Sequence, residues 1–481
     1  MPLPKLLYLV LLFLLSTCFY SCTTFRQSQT YDLLLTHANV VDVEQGRVLK
    51  NKTVVIDKGI IREIVDAGEA KKYNAATTLE AKGKYLIPGL WDNHVHLRGG
   101  AALETETRNL LPLFIANGIT TVRDAGGDLY PAVREWRQQI EAGKMAGPHI
   151  ISAGPKLDGP NPTWAGSIEV ATVAEVPAAL DSLQKLGVDF VKIYESTISG
   201  DVFLAIIKEA EARGMLTAGH MPFTAKLGDA IDNGFDITEH LYYTFKAGSP
   251  QEDSITSVIR AGAQTDKPVG FYTALHWLYD TYDPATAQQI FRKMAAHHTA
   301  VTPTLYISRV LNNLQQADHS HDDYLAYIGD GIIKTYDGRI NSAKRQSPEG
   351  VQFARDLNAK FHSMIPAMQA AGVTILAGSD AGAFNSYVYP GPSLHKELEL
   401  LQEAGLTPAQ ALRTATINGA NVMGKADKYG TVAAGKTADL VLLDKNPLED
   451  IRNTQAIHAV IFDGKVYTSV EVKQLLEWLK K

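Results

Sequence analysis

From Tyr31 to Val65 the chain is built of short apolar runs with polar punctuation: Leu33-Leu34-Leu35, Thr53 to Ile56, and Ile60 to Val65. Lys58-Gly59 separates the last two as a hairpin turn would. The far end has the same character. Ala438 to Leu443 and Ala459 to Phe462 read as strands, and Asp463-Gly464 turns the second into Lys465-Val466-Tyr467. Two β-rich ends around a different middle predict a small β-sandwich assembled from both termini, residues 31–87 and 429–470. A short helix follows from Val470 to Lys481.

Between these ends the pattern becomes strand, loop, helix, repeated. The predicted strands are Leu86–His96, Gly118–Arg123, His149–Ala153, Val188–Tyr194, Leu216–His220, Phe235–His240, Ala300–Leu305 and Val373–Ser379. Helix starts are marked clearly. Thr172-x-x-Glu175 is a capping box ahead of apolar Val176, Leu180, Leu183 and Leu186. Asp283-Pro284 pairs a cap with an N1 proline, and Thr407-Pro408-x-Gln410 does both again. Eight strands alternating with helices across residues 88–428 predict an α/β fold, a (β/α)8 TIM barrel enlarged beyond the usual ~250 residues by its loops. The predicted insertion over the barrel mouth is Tyr242 to Asp283, rich in tyrosine and carrying Trp277.

The N-terminus stands apart. Leu6 to Leu15 is almost wholly aliphatic after Lys5, yet too short to span a bilayer, which needs ~20 residues. It reads as the apolar region of a signal peptide. Both cysteines of the chain lie beside it, and Ser21-Cys22-Thr23 resembles a lipoprotein processing site, with Cys22 favoured over Cys18 as the acylated residue. Residues 1–22 are therefore expected to direct export to the periplasm or outer membrane, with a lipid anchor as the sole membrane attachment. An ordinary secretory signal or uncleaved anchor is the alternative. A composition of 45% hydrophobic and 20% charged residues, with net charge −6, offers no basic face for nucleic acid.

In such barrels the chemistry sits at the C-terminal ends of the strands. Side chains two apart on a strand share a face, so His94 and His96 point the same way. The other strand ends supply Lys192, His220, His240 and Asp380. Phe190, Lys192 and Tyr194 share the inward face, which puts an amine among metal ligands at a high cost in desolvation and repulsion. One resolution is a neutral amine that has taken up carbon dioxide as a carbamate; the other is pairing with a buried carboxylate.

Taken together, Pro88 to His96, Thr120 to Asp124, Asp189 to Tyr194, His220, His240, Gly378-Ser379-Asp380 and Gly435 to Val441 resemble the amidohydrolase superfamily. The likeness is nearest its imidazolonepropionase- and prolidase-like branch and covers roughly Tyr31 to Tyr467. The resemblance implies two zinc ions. His94, His96 and Asp380 would hold one, His220 and His240 the other, with carbamylated Lys192 and a hydroxide bridging them. Asp380 is the implied catalytic proton carrier. The implied activity is hydrolysis of the C–N amide bond of a small molecule, a dipeptide or N-acyl amino acid. A cyclic amide or lactone hydrolase, or a non-catalytic binding module, stands as the alternative, and assembly into a homo-oligomer is left open.

Tyr194, Tyr242 and Arg309 are candidate substrate contacts, Arg309 as the cation for a free carboxylate. Asp92 and Asp124 are candidates to orient ligands or to tie loops. His319-Ser320-His321-Asp322-Asp323 reads as a solvated loop. The chain departs from prolidase-like relatives at Met221-Pro222 and in the proline-rich loop Lys156 to Pro162, both expected to line the mouth.

Overall fold

The computed structural model describes residues 29–480 except 264 and 267, so the leader and both cysteines lie outside the described residues. Five strands come first: β1 (Thr30–Asp42), β2 (Arg47–Asp57), β3 (Ile60–Asp66), β4 (Asn74–Glu80) and β5 (Tyr85–Pro88). The central region adds β6 (Leu90–His96), β7 (Ile119–Asp124), β8 (His149–Ser152), β9 (Leu157–Asp158) and β10 (Ile168–Glu169). It continues with β11 (Val191–Ile193), β12 (Thr217–Gly219), β13 (Ile237–Glu239), β14 (Ala300–Thr302) and β15 (Ala381–Gly382). The chain then returns through β16 (Leu440–Leu443), β17 (Ile457–Phe462) and β18 (Lys465–Thr468).

Strands from both termini form one sheet of order β18-β17-β16-β5-β1-β2-β3, with β4 parallel to β1. Hydrogen bonds from Ile61 to Lys436 and from Ala438 to Gly59 bring its β3 edge back against the approach to β16. The β-sandwich encloses its own core of Leu33, Leu35, Val54, Ile56, Leu440 and Ile461. β4 escapes a pattern-based reading because its sequence, Asn-Ala-Ala-Thr-Thr-Leu-Glu, is mostly polar and exposed, as an edge strand tolerates.

The middle is the TIM barrel. β15-β6-β7-β8 and β9-β11-β12-β13-β14 are two parallel arcs. Asp189 N donates to Ser152 O at 2.9 Å and joins them on one side. On the other, Leu376 N donates to Val301 O and Asn93 N to Ala377 O, which closes the ring. An apolar plug of Trp91, Ile151, Phe190, Ala218, Ile237 and Leu376 fills the lower interior. The polar strand ends sit above it. The capping box at Thr172 and Glu175 is formed, as is that at Thr407 and Gln410. Asp283 accepts from Thr286 N at 2.8 Å.

Four expectations need correcting. The first predicted strand, Leu86–His96, is two strands in two sheets: β5 pairs with β1 and β16, and β6 with β7 and β15. The chain steps at Gly89, where a Cβ would collide with Thr120. The eighth strand, Val373–Ser379, is reduced to a single bridge, Val301 to Ile375, before a left-handed Asp380 breaks the run. The insertion Tyr242 to Asp283 is accompanied by a second, with helices Leu305–Leu311, Asp330–Thr335, Asp337–Lys344 and Pro348–Ala371. Within it His319 is not merely solvated. Its ring stacks on Tyr387 at 3.9 Å and its Nδ1 lies 2.9 Å from Asp322.

Candidate metal centre and active site

Four histidines meet over the apolar plug, and each has its Nδ1 engaged behind it. His94 Nδ1 lies 2.7 Å from Glu239 Oε2, and His96 Nδ1 lies 3.1 Å from Gly126 O. His220 Nδ1 lies 3.3 Å from Glu195 Oε1, and His240 Nδ1 lies 2.6 Å from Thr304 Oγ1. Partners of this kind fix the ring and its tautomer, which leaves Nε2 as the free lone pair. The four Nε2 atoms face a common centre. His220 and His240 bring theirs to 3.1 Å, close to the roughly 3.3 Å that separates two nitrogens on one tetrahedral zinc with ~2.05 Å bonds.

Asp380 completes the ring from the position just ahead of β15. Its Oδ1 lies 3.2 Å from His96 Nε2 and 3.6 Å from His94 Nε2. His94, His240 and Asp380 together hold three ligand atoms within 4.8 Å of one another. His240, Thr304 and Asp380 all have positive φ, near 62°, 50° and 61°. Such backbone is costly for residues with a Cβ and is retained where a site needs the aim it gives. Gly378 is required by closeness: a Cβ there would come within 2.6 Å of His94 Cβ.

Electrostatics explain why these groups tolerate burial. Burial depresses His96 and His220 well below the usual histidine range and takes His240 down to about 4, so all three rings are neutral ligands at neutral pH. Burial alone would raise Asp380, but His94 and His96 hold its carboxyl well below the usual range. Glu239 behaves likewise: burial opposes its charge, and Arg123, 2.8 Å away, keeps it ionised. Lys192 is pushed down to about 8 by burial. Its Nζ is fully buried, stands 3.8 Å from Glu239 Oε1, and has no hydrogen-bond partner among the described residues. His94 Nε2 is likewise unpartnered. Orphaned inward atoms, the neutral rings of His96, His220 and His240, and a carboxylate make a set that fits divalent metal.

A cavity of about 240 Å³ opens above these atoms, and Tyr194 and Tyr242 both line it. Arg309 does not. It pairs with Glu403 at 3.1 Å on the outer surface, both side chains more than half exposed. Ile307, Ser308 and Leu311 of the same helix reach the cavity instead. Among the described residues, the cations that line it are Arg98 and Arg339. Arg98 lies 3.8 Å over the Trp164 ring, and its Nε donates to Ala383 O at 3.0 Å. It sits two residues past His96, a signal the sequence carried. Arg339 comes from the helix Asp337–Lys344, which no motif announces.

Met221 is fully buried and Pro222 is not among the lining residues, so the departure after His220 is a packing feature. Of the loop after β8, Trp164 lines the mouth, while none of Lys156 to Pro162 is among the lining residues. Asp92 ties two strand ends, accepting from Ser379 N at 2.9 Å and from His94 N at 3.3 Å. Asp124 accepts from Leu97 N at 3.0 Å.

The fold recurs in known proteins. Ochratoxinase of Aspergillus niger is 23% identical over 481 aligned positions, covering 88% of this chain and 84% of its own. Bottromycin amidohydrolase superposes with a TM-score of 0.71 at 22% identity, over 93% of this chain and 89% of its own. A Xaa-Pro dipeptidase with bound methionine gives 0.64 at 20% identity, over 91% and 100%. The family model described as "Amidohydrolase family" matches residues 85–467, from β5 through the whole barrel into β18, and the chain belongs to that family.

Proposed function

We propose that this protein is a metal-dependent hydrolase that cleaves the C–N amide bond of a small substrate bearing a free carboxylate, a dipeptide or an N-acyl amino acid. One observation carries the reading. Four histidine Nε2 atoms and Asp380 converge at the floor of a cavity whose walls hold two arginines. The relatives named as a dipeptidase and as amidohydrolases support the same class of bond.

The residues that would hold zinc are His94, His96, His220, His240 and Asp380, with Lys192 between them. Bound there, zinc supplies an ionised water at neutral pH and an electrophile for the scissile carbonyl. The protein's own groups do the rest. Asp380 is ionised and steered by Asn385, whose Nδ2 donates to its Oδ1 at 2.9 Å. It takes the proton of the attacking water and returns it to the leaving nitrogen. Tyr194 and Tyr242 wall the cavity, and burial raises both phenols, to about 12 for Tyr242, so they stay neutral hydrogen-bonding groups. Arg98 and Arg339 are the carboxylate partners, bidentate recognition being what a guanidinium offers.

Arg339→Ala is expected to raise KM for N-acyl amino acids about tenfold with little change in kcat, because an ion pair to a remote carboxylate acts equally in ground and transition states. The same variant should leave the corresponding amides, which lack the carboxylate, nearly unaffected. Steady-state kinetics on an N-acyl amino acid and its carboxamide make the check. Turnover confined to cyclic amides or lactones would contradict the proposal.

A further inference from the structure

A second chamber of about 160 Å³ adjoins the cavity above the metal centre. Tyr242, Tyr272, Ser308, Leu311 and Arg339 line both spaces and form the junction between them. Beyond the junction one side is apolar: Leu275, Leu314, Phe353, Leu357 and Phe361. Tyr242 packs edge-on against Phe361, centroids 5.3 Å apart at 82°, so the aromatic surface runs unbroken from the metal centre into the chamber. The helix of Phe353, Leu357 and Phe361, Pro348–Ala371, adds one polar group to this wall: Asn358 Oδ1 is buried with no hydrogen-bond partner among the described residues.

We infer that this chamber is the subsite for an aromatic side chain on the amino-acid half of the substrate. The inference rests on the proposed cleavage of N-acyl amino acids or dipeptides, and it goes on to name which of them. In an α-amino acid the carboxylate and the side chain leave the same carbon. A substrate whose carboxylate pairs with Arg339 therefore presents its side chain at the junction that Arg339 shares with the chamber. The volume suits a ring: an apolar cavity of ~150 Å³ accepts benzene. Edge-to-face packing against Phe361 and Tyr242 favours an aromatic over an alkyl group of equal size. The unpaired Asn358 oxygen suits a ring that carries a donor at its edge, as tyrosine does.

The test uses the zinc-loaded full chain and the product amino acids themselves. Isothermal titration should show L-phenylalanine and L-tyrosine binding at least tenfold more tightly than L-alanine, the scale on which pockets sort side chains by size. Ala354→Phe, which fills the chamber from the helix Pro348–Ala371, should shrink that ratio to below threefold. Ala343→Leu, from the helix Asp337–Lys344, should do the same should the first variant not fold. Equal affinity for alanine and the aromatic acids in the native chain, or no binding of any of them, overturns the inference. So does a ratio unchanged in the filled variants. Turnover is read separately: N-acyl amino acids cleaved with no aromatic discrimination leave the proposed function standing and remove the subsite. Discrimination in binding without amide cleavage does the reverse.

Discussion

Asp380→Asn is expected to lower turnover on the order of 10²–10⁴-fold, the usual worth of a positioned acid–base group, while the protein still folds. Asparagine keeps the shape and one carbonyl oxygen, so the hydrogen bond from Asn385 survives. What it loses is the capacity to carry a proton between the attacking water and the leaving nitrogen. The left-handed backbone at this position argues for the same choice of variant, since asparagine tolerates positive φ better than alanine does. Circular dichroism and metal content measured beside kcat separate catalysis from folding. Unchanged turnover at neutral pH would show that another group moves the proton.

Lys192→Ala is expected to lose paired metal and activity together, on the order of 10²-fold or more, since even residues that only support ligands cost 10–100-fold when removed. The amine stands fully buried with Glu239 nearby but no hydrogen bond, and burial brings it to about 8. At pH 7 about one amine in ten is then neutral, against fewer than one in ~10³ for an ordinary lysine, and only the neutral amine adds carbon dioxide. Lys192→Arg should fail as completely, because a guanidinium is not carbamylated at neutral pH. Carbon-13 bicarbonate should give a carbamate signal in the native protein and none in either variant. An active Lys192→Arg enzyme would remove the carbamate and leave the ion pair with Glu239 as the role of this lysine.

Much of the site could be read from strand logic alone. His94 and His96 are two apart on β6, and Lys192 follows Phe190 by two, so alternation turns all four toward the barrel axis. His220 and His240 stand just past β12 and β13. The β-sandwich strands were legible for the same reason, each with an apolar face against its own core. What escaped obeys other physics. β4 is a polar edge strand whose pairing comes from backbone bonds to β1. Gly89 divides one apolar run between two sheets because Thr120 leaves no room for a side chain, a tertiary cause with no local sign.

The proposed carboxylate partner shows the limit most plainly. Arg309 has a suitable distance along the chain from β14 but the wrong face of its helix, and its partner is Glu403 on the exterior. Arg339 lies thirty residues further on, in an insertion whose helix Asp337–Lys344 has no strong apolar stripe to mark which side faces inward. Glu239 carries no motif of its own beside His240, yet the strand turns Glu239 toward His94 and then flips to positive φ at His240, so that both are used.

The most direct test of the whole account is the metal itself. Protein purified without chelator should carry about two zinc-class ions per chain by elemental analysis. Chelation should remove them in step with hydrolysis of an N-acyl amino acid, and added zinc should restore both. One ion in fully active protein would reduce the centre to a mononuclear one with Lys192 unmodified. Full activity in metal-free protein would contradict the account outright.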